Sequence, residues 1–114
     1  MILVLFELDP AEGRAGEYFD LAAALKPELE TVDGFVSIER FESLATPGRY
    51  LSLSAWRDEA AVRDWRNRMA HRKAQAAGRA GILGHYRLRV AEVIREYGLV
   101  DRDQAPADSR DVHG

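Results

Sequence analysis

Asp33-Gly34-Phe35-Val36-Ser37-Ile38-Glu39-Arg40-Phe41-Glu42-Ser43-Leu44 runs into Ala45-Thr46-Pro47-Gly48 and then Arg49-Tyr50-Leu51-Ser52-Leu53-Ser54-Ala55-Trp56. Asp33-Gly34 is a turn signal, and residues 35–44 and 49–56 read as two strands separated by a second cluster of turn formers. Together they predict an antiparallel hairpin in the middle of the chain. On its N-terminal side, Phe19, Ala22, Leu25 and Leu29 recur at helical spacing, with Pro27 expected to kink or end that helix early. On its C-terminal side, Asp58 is placed to cap free backbone amides, and Val62, Trp65 and Met69 form an i, i+3, i+7 stripe. A second helix is predicted over 58–69, followed by a separate helical piece over 70–77 that Gly78 and Gly81 end.

The outermost elements alternate with a period of two. Ile2, Val4, Phe6 and Leu8 point one way and Leu3 and Leu5 the other, so the first strand is apolar on both faces. After the turn-prone residues 9–13 comes the first helix. At the other end, residues 85–96 read as a fourth strand with Tyr86, Leu88, Val90 and Ile94 on one face. The order β-α-β-β-α-β is that of an α+β, ferredoxin-like fold, a four-stranded antiparallel sheet with both helices on one face. Leu3, Leu5 and one row of residues 35–44 would then be left bare on the other face. A second copy is the simplest cover: burying several hundred Å² of apolar surface contributes on the order of 10 kcal/mol before association entropy is subtracted. A homodimer through the sheet faces is expected.

Composition bounds the chemistry. A chain of 114 residues, 46% of them hydrophobic, is the size of one domain. It has no cysteine, which removes disulfides, thiolate nucleophiles and Cys-based metal sites and fits a reducing cytoplasm. The apolar residues 1–8 lack a basic leader and are too short for a signal peptide or a membrane span, so a soluble cytoplasmic protein is expected. A formal charge of −3 argues against nucleic acid as partner. The crowding of Arg63, Arg66, Arg68, Arg72, Lys73 and Arg79 reads as a solvated helix face. Residues 98–114 change character, being polar with Pro106 and no aromatic residue, and cannot bury enough surface to fold alone. They are expected to be disordered or to lie across a partner. The sequence has no internal repeat, phosphate loop, nucleophile elbow or convincing metal cluster.

Asp33-Gly34-Phe35, the hairpin ending at Trp56, the helix opening Asp58-Glu59-Ala60-Ala61-Val62, then Trp65, His71, Gln75, Gly78-Arg79 and the strand Tyr86-Arg87-Leu88-Arg89-Val90 resemble the antibiotic biosynthesis monooxygenase domain family. The resemblance covers residues 1–97. It implies a dimeric α+β barrel and, in a family of cofactor-free oxygenases of aromatic phenols, haem degraders and proteins of unknown activity, an apolar small-molecule ligand.

The candidate site residues each carry two readings. Trp65 lies on the apolar stripe of the second helix, where core packing competes with a catalytic role, and the same holds for Trp56 as a substrate-binding residue. His71 can serve as general base, proton shuttle or haem ligand, or be structural. It is expected at a break in the helix, and Gln75, four residues on, shares its face. Six residues on an unbroken helix is a rotation of about 240°, so Trp65 and His71 share a face only if the helix kinks between them. In the haem-degrading branch a tryptophan and a histidine at and after the second helix would carry over to Trp65 and His71. Their spacing is shorter here, and Glu7 stands nearest to that branch's first-strand asparagine, where an ionised carboxylate donates no hydrogen bond. Glu7 is instead a candidate base in a cofactor-free oxygenase, or a rim carboxylate paired with an arginine. Tyr18, Tyr50, Tyr86 and His85 are further candidates to line the cavity. Three functional readings follow: a dimeric monooxygenase of an aromatic or quinone-like molecule without a bound cofactor, a haem-degrading enzyme with His71 as ligand, and a non-catalytic small-molecule-binding dimer.

Overall fold

A computed structural model describes residues 1–75 and 81–113, and the side chains of residues 1–69 and 81–112. Strand β1 (Ile2–Pro10) leads to helix α1 (Ala15–Leu29), the hairpin β2 (Phe35–Glu42) and β3 (Tyr50–Trp56), helix α2 (Glu59–Gln75), strand β4 (Leu83–Glu92) and a short helix α3 (Ala107–His113). The sheet order is β2-β3-β1-β4 with every neighbouring pair antiparallel. The expected β-α-β-β-α-β fold is therefore present, with α3 added after it.

Register decides which side chains share a face. Along β1, Ile2, Val4, Phe6 and Leu8 oppose Trp56, Ser54, Ser52 and Tyr50 of β3, and Glu92, Val90, Leu88 and Tyr86 of β4. Cross-strand partners point to the same side of a sheet, so these residues form one surface. It is the helix-facing surface, because Ile2 and Trp56 are buried with Leu29, Val32 and Ala61 in one core cluster, and Leu8 is buried with Tyr18 and Ile82 in a second. The opposite surface carries Leu3, Leu5 and Glu7 beside Ala55, Leu53 and Leu51 of β3, with Ala91, Arg89 and Arg87 of β4 on the other side.

Several local expectations need correction. Helix α1 turns Tyr18, Ala22 and Leu29 inward, while Phe19 is 37% exposed and lies edge-on against Tyr50 with ring centroids 5.0 Å apart. Pro27 does not end the helix, which closes beyond it when the Glu30 N–H donates to the Lys26 carbonyl at 3.1 Å. Helix α2 is one continuous element from Glu59 to Gln75, so the break expected after Met69 does not occur. Strand β4 stops at Glu92, which leaves Ile94 beyond the strand and almost fully exposed. The polar tail has structure of its own, held by local polar bonds rather than a core. The Gly98 N–H donates to the Asp101 carbonyl at 2.7 Å, Arg102 donates to Ser109 Oγ at 2.9 Å, and the Glu96 N–H reaches Gln104 Oε1 at 2.7 Å. Among the described residues no helix is long and apolar enough to cross a membrane.

Candidate functional site

The helix-facing surface of the sheet is closed over β3 and open over β4. Tyr86, Leu88 and Val90 alternate along β4 toward the helices, yet they stay 60%, 53% and 48% exposed. Between this row and α2 lies a cleft of about 240 Å³ lined by Glu59, Val62, Arg63, Arg66 and Val90. Ligand pockets commonly enclose roughly 300–1,000 Å³, so the cleft alone is small. Beyond Val90 the exposed row extends it, with Leu88 opposite Phe6 on β1 and the Phe6 and Tyr86 rings tilted together at 5.7 Å.

The start of α2 sets the cleft's position. Asp58 caps the helix as its sequence predicts, with Oδ1 accepting the Ala61 N–H at 2.9 Å. That bond, and then the neighbouring Arg57 guanidinium, holds the Asp58 carboxyl below the usual carboxylate range. Arg57 donates to both oxygens of Asp33 at 3.2 Å, and its own N–H donates to the Gly34 carbonyl at 2.7 Å, which ties α2 to the turn before β2. Asp33 and Asp58 hold the guanidinium's affinity for its proton above the ordinary value. Gly34 sits at φ 91°, and a Cβ there would lie 2.9 Å from the Ala61 Cβ. The turn read from Asp33-Gly34 is thus also a point of close contact with the first turn of α2.

The predicted site residues do not all meet at this cleft. Trp65 is half-buried on α2 and packs against the cluster of Ile2, Trp56 and Ala61. Trp56 is 1% exposed, its indole N–H donating to Ser54 Oγ at 2.9 Å and its ring meeting Phe35 at 5.4 Å. It is a core residue with no surface to offer a substrate, which corrects the binding role expected of it. Tyr86 joins the open row, whereas Tyr50 lies at the far end of the same face, with Leu8 between the two in the cross-strand row. Tyr18 is buried against Leu8, and its hydroxyl accepts a long bond from Arg40 Nε at 3.4 Å.

Glu7 and His85 fall on the other side of the sheet. The register of Glu7, opposite Leu51 and Arg87, puts it with Leu3 and Leu5, so within one chain it does not share a cavity with Trp65. The Glu7 Oε2 lies 3.8 Å from His85 Nε2, and its charge also acts on Arg49. Asp9 nearby is paired with Arg49 at 2.8 Å, a bond that holds its carboxyl below the usual range. His71 and Gln75 belong to α2, but their side chains lie outside the described residues.

Sequence reasoning missed Phe6, Leu88, Val90, Arg63 and Arg66 as cleft residues. The apolar ones were read as ordinary strand alternation and the arginines as a solvated face. The available signal was the spacing of Glu59, Val62, Arg63 and Arg66, which puts all four on one side of a helix whose apolar stripe includes Val62. Among the described residues no group of three or more His, Asp or Glu side chains is placed to hold a metal ion.

With this arrangement in view, the comparisons with known proteins are specific. The antibiotic biosynthesis monooxygenase family model matches residues 1–77. A jasmonate monooxygenase of Pyricularia oryzae is 44% identical over 93 residues, which is 82% of this chain and 43% of that protein. The chain thus spans less than half of that relative's length. A Deinococcus radiodurans structure assigned to the antibiotic biosynthesis monooxygenases superposes with a TM-score of 0.71 at 16% identity, covering 86% of this chain and 97% of that one. A monooxygenase of Streptomyces coelicolor, solved in complex with the ligand Nanaomycin D, gives a TM-score of 0.63 at 17% identity over 85% and 90% of the two chains. At such identities the structural likeness speaks for the fold. The chain belongs to the antibiotic biosynthesis monooxygenase family.

Proposed function

We propose that this protein is a monooxygenase of an aromatic or quinone-like small molecule, bound in the cleft between α2 and β4 and oxidised without a tightly bound cofactor. The observation that carries this reading is the apolar row Tyr86, Leu88 and Val90, left open beside α2 in a chain of this family. The P. oryzae relative, named as a monooxygenase of a small molecule, and the S. coelicolor monooxygenase with its bound ligand support the coarser reading of a small-molecule monooxygenase.

In the proposed reaction a substrate methylene flanked by a phenolic ring loses a proton to a base. The carbanion passes one electron to dioxygen, and the radicals recombine as a hydroperoxide. Loss of water then leaves a carbonyl, so one oxygen atom enters the product and the other leaves as water. His71 is the proposed proton acceptor and Trp65 part of the wall that keeps water from the carbanion. Glu7, on the far face of the sheet, has no part in a cleft formed within one chain. That far face, with Leu3, Leu5, Leu53 and Ala55, is the proposed surface of a two-fold dimer.

The test is oxygen uptake by the purified protein with a hydroxylated anthrone and no added cofactor. One O2 consumed per anthrone, with the anthraquinone formed at a rate that Val90→Trp abolishes, supports the proposal. A rate equal to that in buffer contradicts it. A haemin titration beside His71→Ala checks the cofactor separately. A saturable Soret shift that the substitution removes would replace the cofactor-free reading with a haem enzyme ligated by His71.

A further inference from the structure

We infer that the molecule held between α2 and β4 carries an anionic group beside its apolar body, and that Arg63 and Arg66 grip that group. This rests on the cleft proposed above and specifies what binds there. The arginines at the start of α2 and along it whose side chains are described divide into two sets. Arg57 is committed to Asp33 and Asp58, and Arg68 to Asp64 at 3.2 Å and to Thr31 Oγ1 at 3.1 Å. Arg63 and Arg66, in contrast, are exposed and make no ion pair with any described residue, and both line the cleft.

Their spacing of three places the two guanidiniums as neighbours on one side of the helix, where like charges repel and a bound anion relieves the repulsion. Val62 on α2 and Val90 on β4 line the same cleft, an apolar floor for the rest of the ligand. Glu59, one turn before Arg63, is the one carboxylate among the described lining residues, which together keep a net positive charge with the cationic end at Arg66. A guanidinium presents paired donors that match the two oxygens of a carboxylate or sulfonate. Two such forks above an apolar floor suit an amphipathic acid better than a neutral hydrocarbon.

A matched pair of fluorescent probes tests this: 8-anilinonaphthalene-1-sulfonate and N-phenyl-1-naphthylamine, which lacks only the sulfonate. The wild-type protein is expected to prefer the sulfonate, and Arg63→Gln/Arg66→Gln to weaken it by at least about tenfold while the neutral probe binds as before. Arg63→Lys/Arg66→Lys, which keeps the charge, should restore most of the preference, and added salt should erode it. Equal effects of the glutamine substitutions on both probes, or none on either, would overturn the inference. Val90→Trp separates it from the proposed site. If that substitution removes both probes while the arginine changes leave their ratio unchanged, the cleft stands and the anion grip is refuted; if both probes still bind Val90→Trp, the cleft and the grip fall together.

Discussion

Trp56 and Val90 lie on the same face of the same sheet, two strands apart, and meet opposite fates: one is 1% exposed, the other 48%. Over β3 Trp56 is sealed by Leu29, Val32 and Ala61, and its indole N–H donates to Ser54 Oγ. Over β4 the row Tyr86, Leu88 and Val90 stays open to water beside a helix that turns toward it two arginines with no ion pair to any described residue. The same two-residue period thus gives a buried core in one half and an open apolar row in the other. Which half is which depends on where the helices sit, and not on the strands.

Substitutions in the two halves should separate accordingly. The largest effect is expected for Trp56→Ala, which leaves a cavity in the closed half and should lower unfolding stability by about 3–5 kcal/mol in urea titrations. A loss below about 1 kcal/mol would mean that the closed half is not packed as described. Next comes Gly34→Ala, where the positive φ and the contact with Ala61 predict a loss of about 1–3 kcal/mol on the same measurement. Because Gly34 holds the start of α2, the probe affinity of the open half should fall with it.

Asp58→Ala should have a smaller effect, with a characteristic pH dependence. The Asp58 carboxyl is held below its ordinary value, so its stabilising bond is complete above the unfolded pKa of about 3.9 and is lost as pH falls through the folded value. The urea midpoints of wild type and variant should differ steadily from pH 7 down to about 5 and converge below about 4. A difference that persists unchanged at pH 2 would assign the effect to something other than the charged cap. The smallest stability effect is expected for Leu88→Ala, within about 0.5 kcal/mol, since that side chain is already half in water. Its signature should be weaker binding of N-phenyl-1-naphthylamine; a large stability loss with unchanged binding would erase the contrast between the halves.

The fold was legible because its signals are local. Asp33-Gly34, the Asp58 cap and the alternation from Ile2 to Leu8 each act within a few residues, and together they fix the order of elements and the face each strand turns inward. Phe19 was misassigned because Tyr18 and Phe19 are both aromatic, and helical spacing alone cannot tell a buried ring from one that covers its neighbour. The site was less legible for a different reason. Alternation sets Glu7 on the opposite face from Phe6, but which of the two faces borders the cleft depends on where the helices pack, which cross-strand pairing together with the buried clusters shows. Likewise, nothing in the sequence around Arg63 and Arg66 says that the neighbouring arginines are tied to Asp33, Asp58 and Asp64 while these two are not.

Methyl NMR decides whether the small molecule binds in the open half over β4. N-phenyl-1-naphthylamine would be titrated into protein labelled at its valine and leucine methyl groups. Saturable shifts are expected at Val62, Leu88 and Val90, with Leu3, Leu5 and Leu53 unmoved. Shifts confined to those three residues of the far face, with Val62, Leu88 and Val90 silent, would contradict binding in the open half.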